Sequence, residues 1–243
     1  MAAGILSVGI MLVATMFPVA IYLTTVASEK TMASIVADEA FAKMRLYGIE
    51  DMNQTKIDDL TKTFGSYWKD MNDVIDFDEY MYPSSEGNWQ YCWVPLYKKL
   101  NSDPCDMQYL VKLYIARRTN PNQTFFRDGT LTSTSQRPTP IRIGVGYIYP
   151  NKLKIQWDNG GIEKCINPPP STAIVDDSSG RIFRIVSRDA KDANTVILDR
   201  SWDSDIGVPN NVWVLPAAVI NKEPSGKNPD IEIYQRIIDF RKK

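Results

Sequence analysis

MAAGILSVGIMLVATMFPVAIYLTTVAS, residues Met1–Ser28, contains no charged side chain. It runs without a break into EKTMASIVADEAFAKMRLY, residues Glu29–Tyr47, where charges appear and Met32, Ile35, Val36, Ala40, Phe41 and Met44 recur every three to four residues. The first stretch is apolar on every side of a helix, whereas the second carries one apolar stripe. The pair predicts a single helix over residues 2–47, about 70 Å long at ~1.5 Å per residue. Gly48 follows as a natural helix end, with Lys43 and Arg45 in the last turn. The uncharged part alone reaches about 42 Å, more than a ~30 Å hydrocarbon core requires. This surface calls for lipid or for the apolar centre of an assembly.

Two simpler readings compete with that one. A secretory signal peptide needs a positively charged start and a shorter apolar run, but no Lys or Arg precedes this run. A plain membrane anchor fits the first 28 residues and leaves the amphipathic continuation unexplained. Pro18 adds a second unusual feature, since an interior proline removes a hydrogen bond and costs about 3 kcal/mol. The expected helix is therefore bent or locally melted near Pro18.

Outward from the helix, composition excludes much. The chain has 243 residues and a net charge of −1, so it carries no electrostatic footprint for nucleic acid. It has no histidine. That removes the imidazole base of Ser-His or Cys-His catalysis, the haem axial imidazole and the common zinc clusters. No Cys-x-x-Cys is present, and Asn159-Gly-Gly161 and Ser178-Ser-Gly180 read as turns rather than phosphate-binding loops. Only carboxylates are left as catalytic candidates, in Asp73, Asp76, Asp78 and Glu79 and in Asp176-Asp177. Their simpler reading is solvated loops and turns. Calcium would suit such oxygen ligands, but the spacing matches no calcium loop. We expect no catalysis, no cofactor and no metal.

The remaining chain is β-rich. Thr55–Met71 places Ile57, Leu60, Phe64 and Trp68 on one face behind a capping arrangement at Thr55 and Asp58, predicting a second short helix. Gln108–Arg117 reads as a strand, and Thr130–Pro140 as a polar, proline-containing linker. Short β segments follow at Ile141–Tyr149, Leu153–Trp157, Ser171–Val175, Ile182–Ser187, Thr195–Leu198, Val212–Leu215 and Ile231–Phe240. Their spacing near ten residues predicts a small antiparallel barrel or sandwich. The fold class is α+β: the helix 1–47, an α+β head over 48–130 and a β-rich module over 140–243. Six tryptophans and twelve tyrosines invite a carbohydrate-binding reading, but residues such as Trp157 and Trp213 fit a core better.

The helix resembles the N-terminal helix of type IV pilins and type II secretion pseudopilins. Gly4-Ile-Leu-Ser-Val-Gly-Ile-Met-Leu12 is similar to the Ile-Leu-Ser-(Ile/Val)-Gly-Leu-Leu run of prepilin-type helices, and Pro18 lies at about the depth where pilin helices carry a proline. The likeness covers roughly the first fifth of the chain. The basic leader, the glycine at the cleavage point and the early glutamate of that family have no counterpart here; aligned on Ile5–Gly9, the cleavage point falls before Met1.

The resemblance implies a structural subunit of an extracellular pilus-like filament, a homopolymer held in the inner membrane before assembly and displayed at the cell surface after it. Its partners would be other copies of itself and the pilus or secretion assembly machinery. The alternatives are a minor or tip pseudopilin, or a single-pass membrane-anchored β-rich binding protein. Gly4, Ile5, Leu6, Gly9, Met11, Val13, Phe17, Pro18 and Ile21 would line the filament core, where the small residues allow close helix approach. In an oxidising compartment Cys92 and Cys105, 13 positions apart around Asn101-Ser-Asp-Pro104, are candidates for a disulfide worth about 3 kcal/mol, with Cys105–Cys165 the alternative pair. Asn53 and Asn122 open glycosylation sequons, and the Ser/Thr-rich 130–139 segment is a candidate for O-glycans.

Overall fold

The computed structural model describes residues 2–47, 69–70, 80–83, 89–100, 108–118, 123–126, 134–156, 168, 170–192, 194–202, 210–216, 218–220, 223–224 and 229–239. The predicted long helix is present as one element, α1 (Ala2–Tyr47), with Pro18 inside it. Proline has no N–H for the Ala14 carbonyl, yet helical geometry continues on both sides. The predicted helix over 55–71 lies mostly outside the described residues. Its last positions differ from expectation: Lys69–Asp70 form a short strand, β1, held by pairing with Leu96 and Tyr97.

The chain then builds a sheet. β2 (Met81–Tyr82), β3 (Tyr91–Lys99) and β4 (Gln108–Arg117) follow in order, and β3 and β4 pair antiparallel along their whole length. β1 and β2 share the other edge of β3, opposite Leu96–Tyr97 and Tyr91–Cys92 respectively. Pro95, which has no N–H to give a ladder, falls in the interval between those two partners. Two short strands, β5 (Thr124–Phe126) and β6 (Thr134–Ser135), come next.

Six strands then close on themselves: β7 (Ile141–Tyr149), β8 (Lys152–Gln156), β9 (Ala173–Asp176), β10 (Ile182–Arg188), β11 (Thr195–Leu198) and β12 (Asn210–Val214). They form an antiparallel barrel in the order β10-β11-β8-β7-β12-β9. Period-two alternation supplies its interior: Ile143, Val145, Leu153, Ile155, Phe183 and Ile185 point inward, while Arg142, Lys154 and Gln156 point out. Of the two predicted architectures, barrel and sandwich, the barrel forms. β13 (Ala218–Ile220) and β14 (Glu223–Pro224) join β5 and β6 in a small sheet.

The last strand departs from the sequence boundary. β15 (Asp230–Asp239) does not stay with the barrel; it pairs with β4 from Asp230↔Ala116 to Asp239↔Gln108. Nine registered residue pairs give hydrogen-bond partners to the edge of β4 that β3 leaves open, which is a sufficient reason for the return. The predicted 130–140 linker also differs in part. Thr134–Ser135 belong to β6, and Arg137 is buried with its guanidinium 3.8 Å above the Tyr80 ring.

Three layers result. On one face of the first sheet Tyr91, Trp93, Tyr97, Tyr109, Val111, Leu113 and Ile115 pack against Ala33, Val36, Ala37, Ala40, Phe41 and Met44 of α1. On the other face Cys92, Val94, Leu96, Tyr114 and Ala116 pack against Ala173, Val175 and Leu215 from the barrel side. The sheet is buried on both sides, so β3 reads as a continuous apolar run instead of an alternating one.

Candidate assembly surface

α1 divides into two physically different halves. In its second half the stripe from Ala33 to Met44 is fully covered by the sheet. In its first half nothing described covers it: from Ile10 to Leu23 every described large apolar side chain is between 57% and 72% exposed. Among the sequence-predicted core residues, Met11, Val13, Phe17 and Ile21 lie in that exposed stretch, as does Pro18. Gly4, Ile5, Leu6 and Gly9 belong to the same helix, but their side chains fall outside the description. Among the described residues no helix qualifies as long and apolar enough to cross a membrane. The side chains of residues 2–9 and of Leu12 are not part of that description.

Three threonines of α1 satisfy their hydroxyls within the helix. The Thr24, Thr25 and Thr31 hydroxyls donate to the carbonyls of Ala20, Ile21 and Ala27 at 2.8, 2.9 and 2.9 Å. Each hydroxyl is thereby satisfied within the helix, a habit that lets threonine enter an apolar environment.

The charged residues that begin at Glu29 anchor the helix where it meets the head. Glu29 pairs with Arg117 of β4, and Asp38 accepts from Arg236 of β15 at 2.5 Å. The Arg236 guanidinium also lies 4.7 Å from the Phe41 ring centre. Lys30 reaches Glu232 at 3.6 Å, and the same Glu232 carboxylate receives Arg184 from the barrel. One carboxylate on β15 thus touches both outer layers. The sequence reading missed Arg117, Glu232 and Arg236, because isolated charges on strands give no local signal of their partners.

At this junction an open groove of about 520 Å³ separates the outer turns of α1 from the sheet. Phe17, Ala20 and Ile21 form one wall, Tyr91 and Arg117 the other.

The other sequence candidates fall elsewhere. Cys92 carries a free thiol, so the expected Cys92–Cys105 bridge is absent from this structure. The physical reason is its place on β3: it faces the closed layer between sheet and barrel, with Met81 and Ala116 as its cross-strand neighbours. Burial pushes its thiol up to about 12, the nearby Arg137 and Arg118 opposing weakly. Cys105, Cys165, Asn53 and Asn122 lie outside the described residues, as do Asp73, Asp76, Asp78 and Glu79. Asp176 and Asp177 serve the β9–β10 turn. The Asp176 carboxylate accepts from Ser178 Oγ at 2.8 Å and from the Ser179 N–H at 2.9 Å, and Gly180 closes the turn at φ 70°. Buried Asp177 accepts from Trp213 Nε1 and Arg142 Nη2, both at 2.7 Å. Among the described residues no three potential metal ligands converge.

No protein-family model, curated protein or solved structure matches this chain.

Proposed function

We infer that this chain is the repeating structural subunit of an extracellular, pilus-like helical filament, with the first half of α1 in the filament core and the sheet-and-barrel head outside. The observation that carries the reading is the division of α1 into a docked half and a bare half. Leaving such apolar surface in water costs about 25 cal/mol per Å², and contiguous exposed apolar surface of this extent marks an interaction site. The subunit waits with this helix in the inner membrane and then exchanges lipid contacts for contacts with other copies. The assembly machinery of a pilus or secretion system is the expected handler, and the cell surface the expected destination. The three layers give the head a rigid body through which a filament can transmit load.

Negative-stain microscopy of the purified full-length chain, after removal of detergent, tests the reading. Long uniform fibres are expected. Val13→Asp puts an unpaired charge into the bare half, far from the head, and should abolish fibres while leaving the head's thermal unfolding unchanged. Undiminished fibre yield from that variant, or a wild-type chain that stays monodisperse, contradicts the filament role.

A further inference from the structure

The junction groove changes chemistry along its length. Phe17, Ala20, Ile21, Thr24 and Ser28 line it from one face of α1, at helical spacing, and Glu29 ends that wall. Over about 18 Å, at ~1.5 Å per residue, the wall passes from hydrocarbon through hydroxyls to a charge. Tyr91 and Arg117 stand opposite. The Ser28 and Tyr91 hydroxyls make no hydrogen bond to a described residue. Glu29 meets Arg117 through Oε1 and Nη1, which leaves Oε2 and Nη2 with no described partner. A diacyl phospholipid has the same order of groups, from acyl chains through glycerol esters to a charged head. The level agrees as well. Met1–Ser28 is uncharged and Glu29 is the first charge, so ester and headgroup depth falls at Ser28 and Glu29 when the bare half is in lipid.

We propose that this groove binds one phospholipid with a zwitterionic phosphoethanolamine head. An acyl chain runs along Phe17, Ala20 and Ile21, and the ester carbonyls accept from the Ser28 and Tyr91 hydroxyls. The phosphate accepts from Arg117 and the primary ammonium donates to Glu29, so each charge of the head meets its opposite. An anionic glycerol head would gain Arg117 but bring a second negative charge to Glu29, and a choline head has no N–H to donate. The groove's volume of about 520 Å³ lies in the range of small-molecule sites. The inference rests on the membrane-held stage of the filament reading and adds to it a lipid that the head itself selects.

Native mass spectrometry of the full-length chain in non-ionic micelles tests the site, with dioleoyl phosphatidylethanolamine, phosphatidylcholine and phosphatidylglycerol supplied in turn. One ethanolamine lipid should be retained per chain, at least about tenfold more tightly than either of the others, the worth of one charged hydrogen bond. Ala20→Trp fills the apolar end and should remove that retention, whereas Met11→Trp, on the same helix outside the groove, should not. Glu29→Gln keeps a hydrogen bond to Arg117 and removes the negative charge. Phosphatidylglycerol should then overtake phosphatidylethanolamine, an inversion that loss of folding cannot produce. No retention, equal retention of the three lipids, retention unchanged by Ala20→Trp, or an unchanged preference in Glu29→Gln overturns the site. So does a chain that holds no lipid and forms dimers that Ala20→Trp disperses, which gives the groove to a second copy. Fibre formation after detergent removal is scored on the same wild-type sample. Fibres without lipid selectivity leave the filament reading standing, and selectivity without fibres sinks that reading and leaves the lipid site.

Discussion

Cys92 illustrates how a single position's chemistry follows from the face it occupies. On β3 the side chains alternate between the helix side and the barrel side, and Cys92, Val94 and Leu96 take the barrel side. A thiol there loses solvation of its thiolate, so its proton is held more tightly than in water. In the native chain Cys92 should resist iodoacetamide at pH 8 by at least about 100-fold relative to the chain in guanidinium, since alkylation needs both access and thiolate. Rapid native labelling, or a peptide map showing Cys92 in a disulfide, would contradict this placement. Sequence spacing alone suggested a bridge because it counts residues between cysteines and is blind to the sheet face that Cys92 takes.

At the scale of the element, α1 holds two kinds of helix in one rod, and substitutions should separate them. Phe41 is 1% exposed in the helix–sheet core, so Phe41→Ala should cost about 3–5 kcal/mol in denaturant unfolding of the full-length chain in detergent. Met11 is 72% exposed, and Met11→Ala should change the same measurement by less than about 0.5 kcal/mol. Equal losses at both positions would refute the division. The extent of the helix was legible, because 3.6-residue periodicity and the absence of charge are local properties, whereas the local melting expected at Pro18 does not occur and the helix runs through it. The barrel strands were legible to within a residue or two for the same reason at period two. β3 gave no such signal, since burial on both faces erases alternation.

For the whole molecule the informative group is Asp230, at the seam between sheet and barrel. Its carboxylate is enclosed and accepts from the Ala173 N–H of β9 at 3.2 Å. Facing it are Arg184 on β10, Glu232 on its own strand and Tyr114 on β4. Burial raises its pKa to about 7, the Ala173 N–H and Arg184 opposing and Glu232 reinforcing. The unfolded value is near 3.9. Between about pH 4 and 7 the folded chain therefore binds more protons than the unfolded one, and stability falls as pH rises through that window. At ~1.36 kcal/mol per unit the loss is at most about 4 kcal/mol. Urea unfolding at pH 5 and pH 7.5 should show this decline, and Asp230→Asn should flatten it. An unchanged slope in that variant would remove Asp230 as the cause.

The sequence by itself determined the rod, its uncharged and striped halves and the barrel strands. Each of these rests on which residue types stand within a few positions of one another, and such patterns survive without any knowledge of partners. Tertiary structure alone decided that the barrel closes, that β15 returns to β4, that Cys92 takes the buried barrel side of the sheet and that Glu29 meets Arg117. Those outcomes join residues as far as 131 positions apart, Asp239 with Gln108, through backbone ladders and buried faces whose register no local pattern encodes.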